Sequence, residues 1–337
     1  MSDWRIFTGT TEPHDGIERL PAPPDWRKFA GAVDSKDFVT LLPELTERDR
    51  ERGQTFRVSP ENTDLIDVVN AALYLRRPLL ITGKPGTGKT SLAYAIAYEL
   101  KLGAVLSWSI TARSTLQEGL YRYDAISRLQ DVQLQTDRKK TDVEPDIGRY
   151  IQLGSLGTAL LPRQRPRVLL IDEFDKSDIN LPNDLLNLFE EGEFEVPELA
   201  RMSQQVEKVS VRTYDGGMAS IGLGRVRCAT FPLIVLTSNG ERDFPPAFLR
   251  RCLRLNMPDP DEQALRDIVK AHLGDEILAK AEPLIKAFLD KRAKGDLSSD
   301  QLLNAVYLIT RPFNPMGDDP EQIKKLLMKY LSSTEEG

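Results

Sequence analysis

The sequence predicts an α/β fold built on a parallel central sheet and followed by a small all-α region. Three observations predict it. Residues 82–90, Thr-Gly-Lys-Pro-Gly-Thr-Gly-Lys-Thr, sit between the short apolar run Pro78-Leu-Leu-Ile81 and the helix-forming stretch from Ser91 to Leu100. A second apolar run, Arg167-Val-Leu-Leu-Ile171, delivers the acids Asp172 and Glu173 at its end. Strand-like segments stop after Pro258. Strands that alternate with helical stretches build parallel sheets, and continuous apolar runs suit strands covered on both faces.

Taken in order, residues 1–55 form an extension. Leu20-Pro-Ala-Pro-Pro-Asp-Trp26 is too rich in proline to be helical throughout, and 44–52 is densely charged. Trp4, Phe7 and Trp26 are the expected anchors of this extension on the body or on a neighbour. Residues 62–75 carry Leu65, Ile66, Val69, Ala72 and Leu73 at helical spacing, with Ser59 or Asn62 as the cap. The strands expected next are 78–81, 104–110, 167–171, 231–238 and 253–255. Between them, 115–135 reads as one helix, and 192–230 reads as one or more hairpins around Glu193-Phe-Glu-Val196 and 206–211. Four helices follow, over 262–273, 276–290, 298–310 and 321–331. The expected units are therefore 1–55, 56–258 and 259–337.

The loop at 82–90 carries the chemistry. Gly83, Gly88, Lys89 and Thr90 fit the pattern G-x-x-x-x-G-K-[ST]. Glycines let successive backbone N–H groups turn inward onto a triphosphate, and the positive end of the following helix faces the same phosphates. Gly83, Lys84, Pro85, Gly86, Thr87, Gly88, Lys89, Thr90 and Ser91 are thus the candidate ATP-binding residues. Lys89 reaches the β- and γ-phosphates, and the Thr90 hydroxyl holds Mg²⁺. The acids at the end of the central strand complete this site. Asp172 holds Mg²⁺ through water, an ion that keeps much of its hydration. Glu173 is the candidate general base for the attacking water.

Composition limits the alternatives. The 337 residues are 40% hydrophobic and 28% charged, with a net charge of −6, which argues against a dedicated nucleic-acid binder. The cysteines, Cys228 and Cys252, form no C-x-x-C, so neither a disulfide framework nor a zinc ribbon is expected. His14 and His272 are isolated and suggest no metal site. No apolar signal core opens the sequence and no run spans a membrane, so the expected location is the cytoplasm. The basic cluster Arg163-Gln-Arg-Pro-Arg167 is read as a solvated loop in preference to a DNA contact, with an acidic neighbour across a subunit interface as a further alternative.

The order of these motifs resembles that of AAA+ ATPases. Ile234-Val-Leu-Thr-Ser-Asn239 is similar to the family's sensor-1 strand, with Asn239 at its tip. Phe244-Pro-Pro-Ala-Phe-Leu-Arg250-Arg251-Cys252 resembles the segment that carries an arginine finger into the neighbouring subunit's site, with Arg251 as first choice and Arg250 as second. The resemblance implies an AAA+ αβα sandwich followed by a helical lid, ATP and Mg²⁺ as cofactors, and a homo-oligomeric ring, a hexamer. Within AAA+, the helix at 176–191, the hairpin begun by Gly-Glu-Phe-Glu-Val196 and the insert at 111–163 resemble the MoxR family. Leu120-Tyr-Arg-Tyr-Asp-Ala-Ile-Ser-Arg-Leu-Gln130 looks like the subgroup found beside von Willebrand A-domain proteins, which implies such a protein as client. Tyr121, Arg122 and Tyr123 lie in the insert, where packing of the aromatics is favoured over contact with a client in a pore. One departure stands out. Asp300 occupies the place of the family's sensor-2 arginine, and Arg311, the nearest basic residue downstream, precedes the helix-ending Pro312. The resemblance implies a ring-forming ATPase that remodels a partner protein. A nucleic-acid motor and a slow nucleotide-dependent switch are the alternatives.

Overall fold

The structure, a computed structural model, describes residues 4–32, 43–58, 63–137, 146–292 and 299–310. Helices α1 (Glu47–Thr55) and α2 (Thr63–Leu75) precede strand β1 (Leu79–Thr82), helix α3 (Lys89–Glu99) and strand β2 (Leu106–Ser109). An insert follows, with α4 (Leu116–Leu120), β3 (Tyr121–Tyr123), α5 (Ala125–Asp137), β4 (Ile151–Leu153) and α6 (Ser155–Ala159). Next come β5 (Val168–Asp172), α7 (Leu181–Glu191), β6 (Glu193–Glu195) and α8 (Pro197–Ala200). Strands β7 (Lys208–Arg212), β8 (Met218–Gly222) and β9 (Arg225–Arg227) lead to β10 (Leu233–Ser238), α9 (Pro246–Leu249) and β11 (Leu253–Asn256). Helices α10 (Glu262–Leu273), α11 (Asp275–Arg292) and α12 (Ser299–Thr310) end the described chain.

Five strands pair in the order β11–β1–β10–β5–β2, and every pair is parallel. The apolar runs explain why this sheet lies at the centre. In β5, Val168 and Leu170 enter one core while Leu169 and Ile171 enter another; in β10, Leu233 and Val235 part from Ile234 and Leu236 in the same way. Side chains alternate across a strand, so a strand apolar at every position needs cover on both faces. Helices α2 and α3 cover one face. Helices α6 and α7 cover the other, together with a second sheet of order β3–β4–β7–β8–β9–β6. A third core joins α10, α11 and α12 through Leu265, Val269, Ile285, Phe288, Leu302 and Val306. The result is the expected three-layer sandwich with a helical region behind it. No helix among the described residues is long and apolar enough to cross a membrane.

The 115–135 segment differs from the single helix expected. A capping box between Thr115 and Glu118 starts α4, and the chain then leaves the helix so that Tyr121–Tyr123 pairs antiparallel with Ile151–Leu153. Asp124 restarts it by accepting the Ser127 N–H at 2.9 Å. Gly119 lets this corner close, since a Cβ there would lie 2.6 Å from the Trp108 ring. Tyr121 is buried with its hydroxyl on Glu198, while Arg122 is exposed.

The extension docks on its own chain, with partly different anchors from those expected. Phe7 is buried with Ile6, but Trp26 is 76% exposed and Trp4 only rests its ring edge on Tyr74. Buried polar side chains do much of the holding. Asn70 accepts the Ile6 and Phe7 N–H groups and donates to the Phe7 carbonyl, and Glu99 accepts the Thr8 N–H at 2.6 Å. Arg27 is buried against Phe29 and Phe231 and donates to the carbonyls of Phe189 and Arg76. The basic cluster is likewise not solvated. Arg167 is fully buried and pairs with Asp215 at 2.9 Å, Arg163 is buried, and Arg165 pairs with Glu18. Ser59, Asn62, Arg311 and the 321–331 helix lie outside the described residues.

Candidate nucleotide site

The loop after β1 turns on glycine. Gly83, Gly86 and Gly88 have φ of +150°, +76° and +87°, and a Cβ on Gly83 would lie 2.7 Å from the Met257 carbonyl oxygen. Gly88 caps α3, so the helix starts at Lys89 with its first N–H groups facing the loop. The Lys89 ammonium bends back and donates to the Gly83 and Lys84 carbonyls at 2.6 and 2.7 Å. Burial pushes its pKa down, while the charges of Asp175 and Asp172 act the other way. Lys84 pairs with Asp259, tying the loop to the segment that enters the helical region.

The acids arrive from β5. Because β10 lies between β1 and β5, the tips of three strands meet the loop. Asp172 Oδ1 accepts the Thr90 hydroxyl at 3.0 Å and the Thr237 hydroxyl at 2.5 Å. Glu173 sits in the left-handed region at φ +57°, ψ +46°, and its N–H donates to Thr237 Oγ1 at 3.0 Å. Its carboxylate pairs with Lys176 at 2.8 Å. Phe174 then plunges into a cluster with Phe244 and Phe248, at ring centroids of 5.3 and 5.2 Å, which fixes the chain directly behind the acids. Asp175, buried, accepts the N–H groups of Asn239 at 2.9 Å and Glu241 at 3.2 Å.

One cavity of about 720 Å³ gathers these groups. Pro85 to Ser91, Asp172, Glu173, Thr237 and Asn239 line its sheet side, and Asp261, His272 and Asp300 line its helical side. Arg52 of α1, with Phe56 and Arg57 directly after that helix, closes it from a third side. Of the expected site residues, the structure therefore brings together Pro85 to Ser91, both acids and Asn239, while Gly83 and Lys84 do not line the cavity. Arg250 and Arg251 do not line the cavity. Arg251 pairs with Glu190 at 2.9 Å and donates to the Ala247 carbonyl, while Arg250 is exposed. Among the described residues, the helical side offers Asp300 to the cavity and no arginine.

The oxygen donors of Thr90 and Asp172 fit a hard divalent cation. The Thr90 proton points to the carboxylate, which leaves the hydroxyl lone pairs for a metal. No cluster of three or more His, Cys, Asp or Glu able to hold a metal occurs among the described residues, so such an ion would be shared with phosphate oxygens and water. Sequence reasoning passed over Thr237, Asp175 and the arginines of the 52–57 segment. The break from Leu236 to the polar Thr-Ser-Asn at a strand tip was the available signal for the first, and a third acid in Asp-Glu-Phe-Asp for the second.

No curated protein is significantly similar to the chain in sequence. Among solved structures, the Thermotoga maritima RuvB Holliday junction branch migration motor is similar at 15% identity and a TM-score of 0.39, covering 81% of this chain and 70% of that one. A single-substitution variant of Thermotoga maritima RuvB is similar at 16% identity, with the same TM-score and coverage. The model of the AAA domain, dynein-related subfamily, matches residues 78–252, from β1 through the arginine pair. With the loop, the paired acids and the polar tip of β10 all inside that match, the chain belongs to the AAA+ ATPases as a member of the dynein-related AAA domain family.

Proposed function

We propose that the protein is an ATP-hydrolysing, ring-forming AAA+ ATPase of MoxR type that remodels a partner protein in the cytoplasm, a von Willebrand A-domain protein being the client implied by resemblance. The observation that carries this reading is the convergence of Lys89, Thr90, Asp172, Glu173 and Asn239 on one cavity, with the Arg250–Arg251 pair outside it. Lys89 and the α3 N-terminus bind the phosphates. Thr90 and Asp172 hold Mg²⁺, which when bound neutralises charge on the phosphate oxygens. Glu173 takes the proton of the attacking water, and Asn239 orients that water. In a ring, Arg251, on leaving its pair with Glu190, or the exposed Arg250 enters the neighbour's cavity, where a guanidinium stabilises charge developing on the transferred phosphoryl group. In this scheme residues 1–55 are an extension, 56–258 the nucleotide-binding domain and 259–337 the lid of a homo-oligomer, a hexamer.

The ion pair of Glu173 with Lys176, and Asp300 on the lid side, favour a second reading, a switch that turns over slowly. Turnover separates the two. Glu173→Gln is expected to retain bound ATP and to lose hydrolysis by at least about a hundredfold. Turnover within a few-fold of the parent removes Glu173 as base. Mixing Arg251→Ala with Lys89→Ala subunits is expected to restore hydrolysis at mixed interfaces. No recovery at any ratio, with assembly confirmed, assigns the finger elsewhere. Strong stimulation by DNA or RNA at low salt would turn the reading toward a nucleic-acid motor.

A further inference from the structure

We infer that Thr237 is a positioning residue for both acids of the site, an inference that rests on the reading of Asp172 and Glu173 as the metal-holding acid and the base. Thr237 is 2% exposed and stands on β10, the strand that separates the loop strand from the acid strand. Its hydroxyl has one proton and must serve two partners. The Glu173 N–H can only donate, so the hydroxyl accepts it at 3.0 Å. The single O–H is thereby committed to Asp172 Oδ1, at 2.5 Å, a length within the range for a hydroxyl on a carboxylate.

The two bonds act on different properties. The bond to Asp172 fixes the carboxylate against Thr90, whose hydroxyl reaches the same oxygen at 3.0 Å. The bond from Glu173 holds a non-glycine residue in the left-handed region, a conformation that a free chain seldom visits. That backbone setting decides where the Glu173 carboxylate starts from. Without the hydroxyl, the Glu173 amide and one Asp172 oxygen both lose a buried partner, and the geometry of both acids loosens together. Thr237 lies at the cavity wall but is almost fully buried, and its hydroxyl is engaged by Glu173 and Asp172, so its effect passes through these two neighbours.

The test compares Thr237→Val, which keeps the shape and removes the hydroxyl, with Thr237→Ser, which keeps the hydroxyl, in the full chain. Two readouts are taken: kcat and KM for ATP at saturating Mg²⁺, and the Mg²⁺ concentration that half-saturates binding of a fluorescent ADP analogue. The valine variant is expected to lose kcat by about 10- to 100-fold with KM changed less than about threefold, and to need about tenfold more Mg²⁺. Serine is expected to restore both to within about threefold of the parent. Valine with kcat and Mg²⁺ requirement near the parent overturns the inference, and so does a serine variant as impaired as valine. Should valine fail to fold, Thr237→Ala replaces it; if neither folds while serine does, the role is architectural and the inference is wrong. Glu173→Gln run alongside separates the layers. If it hydrolyses ATP like the parent, the underlying reading fails; if it is inactive and Thr237→Val is not impaired, only this inference fails.

Discussion

Replacing Asp215 by alanine is expected to destabilise the protein severely, although Asp215 lies far from the loop in sequence. Its carboxylate pairs with Arg167 at 2.9 Å, and the two side chains are 11% and 0% exposed. Removing one partner leaves a guanidinium buried without its counter-charge, at a cost of about 3–5 kcal/mol. That is a large fraction of the roughly 5–15 kcal/mol that holds a domain together. Replacing both partners, as Arg167→Met with Asp215→Ala, removes the stranded charge. The double variant should regain most of the loss, keeping about 1–2 kcal/mol of deficit because the Ala104 carbonyl and the Thr213 hydroxyl lose their partners too. Urea unfolding at neutral pH measures all three variants. The same pair sets an acid limb. Burial pushes the Asp215 pKa up, but the hydrogen bonds of Thr213 and Arg167 outweigh it and hold the carboxyl below its ordinary 3.8. A folded value below the unfolded one means the stabilisation is complete above about pH 4 and is lost as pH falls through the folded value. The parent should therefore lose stability in acid more steeply than Asp215→Ala. A single variant within about 1 kcal/mol of the parent, or a double variant no more stable than the single, refutes the reasoning.

Two further outcomes follow from the site and its surroundings. Asp175→Ala strips the acceptor from the Asn239 and Glu241 amides, so steady-state hydrolysis should fall by about tenfold or more, and a rate within twofold of the parent would show that the loop needs no such anchor. Burial pushes the Cys228 and Cys252 thiols up to about 12 from 9.0, which cuts the thiolate at pH 8 about a thousandfold, so both should react with a disulfide reagent only after urea unfolds the chain.

How much of this was legible in the sequence depended on whether the determining force was local. The strands of the parallel sheet were readable because continuous apolar runs have few other uses, and the loop was readable because its glycines are required one by one. The insert was not. Leu116–Leu120 and Ala125–Asp137 are both helical, but the three residues between them leave the helix to pair with Ile151–Leu153, a partner that local propensity does not reveal. Arg167 misled for a similar reason. A cluster of arginines beside a proline looks solvated until Asp215, on a distant hairpin, supplies the counter-charge. Trp26 misled in the opposite sense, since a large aromatic suggests an anchor and yet the arginine beside it does the anchoring. Thr237 was hidden because a threonine in a β-strand is ordinary, and only the strand order places it between the acids and the loop.

The position of β10 also has a consequence for biosynthesis. Strand β1 takes both of its neighbours, β10 and β11, from chain that emerges long after it. The loop at 82–90 is translated early, yet the strand that seats the acids against it begins only at Leu233. Until then β1 has two open edges, and the ribosome holds out a chain whose phosphate cradle is complete in sequence and absent in space. Such long-range pairing slows folding and leaves apolar strands waiting for partners. A nascent chain arrested before residue 233 should therefore not retain ATP, and one arrested after β11 clears the exit tunnel should.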